Sequence, residues 1–298
     1  MNGTTLGLDI GGTSVKGVLM RDAHVTRRSQ SSRYHRPDAT GIANALREAL
    51  IALTAGAPED APSGCVGLCA PGLIDAQTTR VETSMNIPGL VGTRLDELLS
   101  RVMNRPFTGV RIVSDALAAA TDFRTVATPL IDGRLLAISL GTGVGMAILE
   151  PDGTQLIVNP GTSGHLGQID VSLNDHAPIG PDGGRGSLEA YIGLPALRTR
   201  YAERLGPSLS RARLSDAPIR ALVRAIRIAH AIYRPHCVAL LGGVGIAIGE
   251  SPAGAALHEK ISDGLTSLAR PGWRLEFAHD GHHAAAGAAR LAEVGHFP

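Results

Sequence analysis

Leu8-Asp9-Ile10-Gly11-Gly12-Thr13-Ser14-Val15-Lys16-Gly17 runs an apolar segment into an aspartate and sets two glycines and a threonine behind it. Thr5 to Ile10 reads as a buried strand, and Val15, Gly17, Val18, Leu19 and Met20 read as its returning partner, so the motif sits on a hairpin turn. Paired glycines let backbone approach a ligand closely, turn amides and the Thr13 hydroxyl supply donors, and a carboxylate at a strand end can engage hydrated Mg²⁺. Those are the requirements for holding a triphosphate. Local chemistry alone leaves a second reading open, a plain hairpin turn stabilised by Asp9. Lys16 is either a solvated strand residue or a phosphate contact.

Outward from this hairpin, a polar stretch from Arg27 to Arg36 precedes Thr40 to Ala55, where Ile42, Ala45, Leu46, Ala49, Leu50 and Leu53 share one helical face. Cys65 to Cys69 is a short apolar strand that breaks at Ala70-Pro71-Gly72. Arg111-Ile112-Val113 is another, delivering Ser114-Asp115 at the head of the helix begun by Ala116-Leu117-Ala118-Ala119-Ala120. Both strand ends point toward one site. Strand, glycine turn and strand then recur as Leu135 to Leu140, Gly141-Thr142-Gly143-Val144-Gly145, and Met146 to Leu149. A helix from Pro218 to Tyr233 leads to a strand, Cys237 to Leu241, that stops at a turn, Gly242-Gly243-Val244-Gly245. An Ala-rich helix runs from His283 to Val294.

Composition narrows the function classes. The 298 residues suffice for two domains, and with 44% hydrophobic but 3% aromatic residues the core must be aliphatic, which suits helices on sheets. A net charge of +1, with arginines scattered, offers no basic field for nucleic acid. No run approaches the roughly 20 apolar residues that span a bilayer. The three cysteines, Cys65, Cys69 and Cys237, an odd count, and Asp9 interrupting the first apolar stretch point to a reducing, cytoplasmic location.

Two glycine turns, one from each half, could face each other across a nucleotide, the signature of the actin-like ATPase (ribonuclease H-like) fold. In the order of its motifs the chain resembles the ROK family of bacterial sugar kinases and related repressors over nearly its whole length. The resemblance implies a two-lobed α/β fold with nucleotide and acceptor in the interdomain cleft. One lobe would comprise residues 1–113 with the returning 283–298, the other 114–282. It also implies ATP and Mg²⁺ as cofactors, a small sugar or sugar-like acceptor, and a homodimer.

Residue by residue, Asp9 to Gly17 resembles the first phosphate motif, with Asp9 engaging the metal through water and Gly11, Gly12 and Thr13 on phosphates. Gly141, Thr142 and Gly143 resemble the second, and Leu241-Gly242-Gly243-Val244 the turn beside adenosine. Ala70-Pro71-Gly72 and Asn86-Ile87-Pro88-Gly89 resemble the sugar-side loops, bringing Gly72 and Asn86 to the acceptor, although both stretches also fit ordinary turn chemistry. In the family an Asn-Asp pair ahead of an Ala-rich helix binds the sugar and supplies the general base. Here the pair is Ser114-Asp115, and either residue could instead cap its helix.

Departures cluster on the acceptor side. The family segment Gly-Glu-Ile-Gly-His, whose Glu and His bind the sugar, aligns with Gly167-Gln168-Ile169-Asp170-Val171. Gln168 presents a neutral amide where the family has a carboxylate. Many members then carry a Cys-rich turn holding structural zinc, whereas Ile179 to Glu189 contains no cysteine, so no structural zinc is expected, with His165 and His176 read as loop residues. Glu189 resembles the remaining sugar-binding Glu, or else is an acid favoured at a helix N-terminus.

The expected activity is transfer of the ATP γ-phosphate to a hydroxyl, a primary one, of a hexose, amino sugar or cyclitol, with Asp115 as base and Ser114, Gln168 and Glu189 on the acceptor. Two rivals are a non-catalytic sugar sensor and a transcriptional regulator. The regulator would need a DNA-binding segment ahead of the first strand, and the chain starts at that strand.

Overall fold

The computed structural model describes residues 4–55, 65–75, 77–104, 110–127, 131–158, 161–202, 209 and 211–294. In chain order its elements are β1 (Thr5–Ile10), β2 (Val15–Arg21), β3 (His24–Gln30), α1 (Ala39–Thr54), β4 (Val66–Ala70), β5 (Leu73–Ile74), β6 (Val81–Thr83), α2 (Leu95–Met103), β7 (Val110–Ser114), α3 (Asp115–Ala127), β8 (Leu135–Leu140) and β9 (Val144–Leu149). There follow α4 (Leu188–Ile192), α5 (Leu194–Arg200), α6 (Ala217–Tyr233), β10 (Cys237–Leu241), α7 (Gly242–Gly249), α8 (Pro252–Ser262), β11 (Arg274–Phe277) and α9 (His283–Glu293). None of the described helices is long and apolar enough to cross a membrane. The chain divides into two compact units, residues 1–125 with 282–298, and residues 126–281.

In the first unit a five-stranded sheet has the order β3-β2-β1-β4-β7. β1 to β3 are antiparallel neighbours, whereas β1, β4 and β7 run parallel. The period-two alternation of side chains feeds two cores: Leu6, Leu8 and Ile10 join the buried faces of α1 and α2, and Val18 and Met20 join Ala285, Ala286 and Ala289 of α9. Asp38 starts α1 by accepting from the Gly41 amide at 2.7 Å, and Ile42, Ala45, Leu46, Ala49, Leu50 and Leu53 form its buried stripe. Gly7 and Gly67 let α9 lie directly on the sheet, since a Cβ would stand 2.0 Å from the Ala285 carbonyl oxygen and 1.9 Å from that of Ala288.

The expected division after residue 113 falls instead after Thr125, in the last turn of α3. This helix packs with α9 in the first unit: Asp122, 4% exposed, binds His283 Nδ1 and Arg290 Nε, each at 2.7 Å. Buried charges persist when paired in this way. Asp115 therefore belongs to the same unit as Asp9.

The second unit repeats the plan with fewer strands, in the order β11-β10-β8-β9: a β8–β9 hairpin, with β10 parallel to β8 and to β11. Its core joins Leu136, Ile138 and Leu140 of β8 to Ile219, Leu222, Val223 and Ile226 of α6 and to Leu257 and Ile261 of α8. The expected turn Gly242-Gly243-Val244-Gly245 proves to be the first turn of α7, entered from β10 through Gly242 at φ 77°. The polar stretch from Arg27 conceals an edge strand, β3, whose residues alternate in exposure along much of its length.

Candidate functional site

Strands β1, β4 and β7 deliver their C-terminal residues to one edge of the first sheet. Their register pairs Asp9 with Cys69 and Ala70 with Ser114, and on the other side Asp9 with Lys16. Asp9 is 8% exposed, and its Oδ1 accepts from the Cys69 thiol at 3.7 Å. Burial pushes the Asp9 carboxyl up to about 6, the Lys16 charge pulling the other way and the Asp115 charge adding to the rise. Burial also raises Asp115, against a hydrogen bond from the Ala116 amide. It pushes the Cys69 thiol well up, so Cys69 is a neutral donor.

The Ser114-Asp115 pair caps α3. Asp115 Oδ1 accepts from the Ala116 amide at 2.8 Å and Ser114 Oγ from the Leu117 amide at 3.3 Å. A carboxylate has room for further donors, so capping fixes the orientation of Asp115 without exhausting its capacity to accept a proton.

The first glycine turn is closed by the Gly11 amide on the Ser14 carbonyl at 3.1 Å. Tyr34 straps it: its hydroxyl donates to the Gly11 carbonyl and its amide to the Thr13 carbonyl, the latter at 2.9 Å. Sequence reasoning missed Tyr34 and placed Cys69 at the end of an apolar strand without a role at the site. A lone tyrosine in a polar stretch carries no periodic signal, whereas the β1–β4 pairing would have placed Cys69 beside Asp9.

Gly72 follows β4 at φ 116°, where a Cβ would lie 2.0 Å from the Thr83 carbonyl oxygen, so only glycine fits that corner. Asn86 is half-buried, just ahead of the 3₁₀ turn Pro88–Leu90.

In the second unit the Gly141 amide bonds the Gly143 carbonyl at 3.0 Å, with Thr142 at the tip. Gly242 packs on this hairpin, the position of its absent Cβ lying 2.4 Å from the Leu140 carbonyl oxygen, and exposed Gly243 follows at the start of α7. The structure thus brings Gly141, Thr142 and Gly143 close to Gly242 and Gly243. Glu189, 6% exposed, turns its Oε2 to the Val144 amide at 2.8 Å.

Gln168 ends the 3₁₀ turn Leu166–Gln168 and is exposed. Asp170 is exposed, and its bonds from the Ser172 hydroxyl and amide hold its carboxyl below the usual range. The segment expected to lack zinc closes on itself through a bridge between Ile179 and Arg185 and a Gly180 amide bond to the Gly184 carbonyl at 2.7 Å. The Arg200 guanidinium ties it to α4, donating to the Ile179 carbonyl at 2.8 Å and the Ala190 carbonyl at 2.6 Å. His165 and His176 are both exposed.

Comparison with known proteins places this geometry. N-acetylmannosamine kinase of Vibrio cholerae serotype O1 is 28% identical over 190 residues, 62% of this chain, and the match spans 60% of that relative. A ROK family glucokinase from Streptomyces griseus, solved with glucose and AMPPNP, superposes with a TM-score of 0.75 at 22% identity, covering 98% of this chain and 100% of that one. A ROK family transcriptional regulator, a homologue of the E. coli MLC protein, gives a TM-score of 0.71 at 17% identity, covering 99% of this chain and 79% of that one. The fold is the actin-like ATPase fold of these structures. The ROK family model matches residues 5–294, and the chain belongs to the ROK family.

Proposed function

We propose that the protein is an ATP-dependent kinase that transfers the γ-phosphate to a hydroxyl, a primary one, of a hexose, amino sugar or sugar-like cyclitol, with Asp115 as general base. The observation that carries this reading is the placement of Asp115 at the head of α3, directly after β7 at the sheet edge that carries Asp9, held by the Ala116 amide and raised by burial. A base whose pKa climbs toward the working pH is both free to accept a proton and basic enough to take it. The acceptor proton would pass to Asp115, the acceptor oxygen would bond the γ-phosphorus, and the bond from that phosphorus to the ADP oxygen would break.

Asp9 fits a hydrated magnesium ion. Its buried carboxylate takes a weak thiol donor and feels the Asp115 charge, so an approaching cation relieves the cost of ionising it. When bound, the ion supplies neutralisation of triphosphate charge. Gly11, Gly12, Thr13, Gly141, Thr142 and Gly143 offer backbone and hydroxyl donors to phosphates, Lys16 adds positive charge beside Asp9, and Gly242 and Gly243 offer a side-chain-free surface to adenosine.

The relatives' names supply the acceptor class, N-acetylmannosamine for the Vibrio protein and glucose for the Streptomyces one. Gln168 and Ser114 stand where the family pattern has Glu and Asn, so the groups recognised on the acceptor should differ, and cyclitols and unusual amino sugars belong in the screen. Turnover is to be measured with hexoses, hexosamines and C7-cyclitols for the parent and Asp115→Asn. The variant should retain nucleotide binding and lose at least about a hundredfold in kcat. Equal turnover by both proteins would remove Asp115 from the role of base. Acceptor binding without turnover would favour the sensor.

A further inference from the structure

Glu189 faces the second glycine turn. That turn contains Gly141 and Gly143, and glycine loses more conformational freedom on ordering than any other residue. Its internal bond, from the Gly141 amide to the Gly143 carbonyl, spans the tip alone. Among the described residues, two bonds that hold it from outside come from the corner where α4 meets α5. The Leu194 amide donates to the Gly141 carbonyl at 2.9 Å, on the entering side of the turn. Glu189 Oε2 accepts from the Val144 amide at 2.8 Å, on the leaving side.

The corner is itself fixed. Ser187 Oγ caps α4 by accepting from the Ala190 amide at 3.2 Å, and the Gly193 amide closes the helix on the Glu189 carbonyl at 2.9 Å. A hydrogen bond shielded from water, as this one is at 6% exposure of Glu189, is electrostatically stronger than one made in water.

We infer that Glu189 is a positioning residue for the donor side: it fixes the Val144 amide and so presets the Gly141–Val144 turn for phosphate. This deepens the kinase reading and rests on it. A role confined to the acceptor would act through acceptor KM. A brace on the phosphate turn acts on nucleotide affinity before any acceptor is present.

The test is calorimetric titration of Mg-AMPPNP into the parent, Glu189→Ala and Glu189→Gln, without acceptor. Glu189→Ala should weaken binding on the order of tenfold, the loss of one buried hydrogen bond. Glu189→Gln keeps a carbonyl oxygen that can accept from Val144 and should recover most of that loss. If Glu189→Ala does not fold, Leu194→Pro removes the other brace at a helix start that tolerates proline, Gly193 already having φ −59° and ψ 144°, and should weaken binding in the same way. Unchanged Mg-AMPPNP affinity in Glu189→Ala, or in Leu194→Pro where that variant stands in for it, overturns the inference and leaves the kinase reading intact, whatever happens to melting temperature or acceptor KM. A parent that does not bind Mg-AMPPNP overturns both.

Discussion

Replacing Asp9 by asparagine should make the ligand-free protein more stable while abolishing nucleotide binding. Burial lifts the carboxyl from 3.8 to about 6, even with Lys16 and the Cys69 thiol favouring its charged form. A rise of roughly two units at about 1.4 kcal/mol each means that keeping Asp9 ionised costs the folded first unit about 3 kcal/mol at pH 7.5. The sign follows from proton counting. Between pH 3.8 and about 6 the native state holds a proton that the unfolded chain has released, so stability falls as pH rises through that window and is level above it. Asparagine occupies nearly the same volume and cannot ionise, so it escapes this cost. In EDTA and without nucleotide, calorimetry at pH 7.5 should show the transition of the first unit raised by about 2–4 °C per kcal/mol gained. The advantage should shrink to under about 1 kcal/mol by pH 4, where native Asp9 is protonated. An Asp9→Asn protein less stable than the parent at pH 7.5, or one whose advantage is the same at both pH values, would refute the reasoning.

Tyr34→Phe removes the hydroxyl that ties the strap to the Gly11 carbonyl and leaves the ring in place, so KM for ATP should rise about two- to tenfold with acceptor KM unchanged, as steady-state assays would show. His230 is buried against Trp273, neither ring nitrogen has a hydrogen-bond partner among the described residues, and burial pulls its pKa from 6.5 to about 4. A base with a depressed folded pKa loses stability as pH falls from 6.5 toward 4, so His230→Leu should shift acid denaturation of the second unit to lower pH, as circular dichroism would follow.

The strands and helices that position the site were legible wherever one physical cause dominated. The β1–β2 and β8–β9 hairpins announce themselves because glycines interrupt apolar runs, and α1 because its stripe at 42, 45, 46, 49, 50 and 53 keeps helical spacing. The edge strand β3 did not, since it alternates among His, Thr, Arg and Gln with little apolar content, and its strand character comes from pairing with β2. The Gly242-Gly243 segment reads as a turn because glycine disfavours helix. It is helical because α7 packs on β8, β10 and β11 and overrides that preference. The boundary of the first unit was misplaced for the same kind of reason: only the fold shows that Asp122 meets His283 and Arg290.

The residues proposed for the donor and for the acceptor differ in what constrains them. Asp9 is fixed by sheet register against Lys16 and Cys69, and the glycine turns by hydrogen bonds from Tyr34, Leu194 and Glu189, so a change at any of them disturbs backbone as well as chemistry. Gln168 stands exposed at the end of a 3₁₀ turn, and Asn86 is half-buried beside another. Such side chains can be exchanged without unmaking a strand or a core. The sequence accordingly keeps the family pattern at the glycine turns and leaves it at the exposed Gln168 and Asp170, where substitution spares the fold. Ser114 lies between these cases: it departs from the family's Asn yet caps α3, and so holds the proposed base, Asp115, beside it. Glu189 crosses the division, because a residue aligned with acceptor recognition is bonded to the amide of Val144. On the proposed reading that bond couples acceptor recognition to the phosphate turn, so a substitution at Glu189 should be read in nucleotide affinity first.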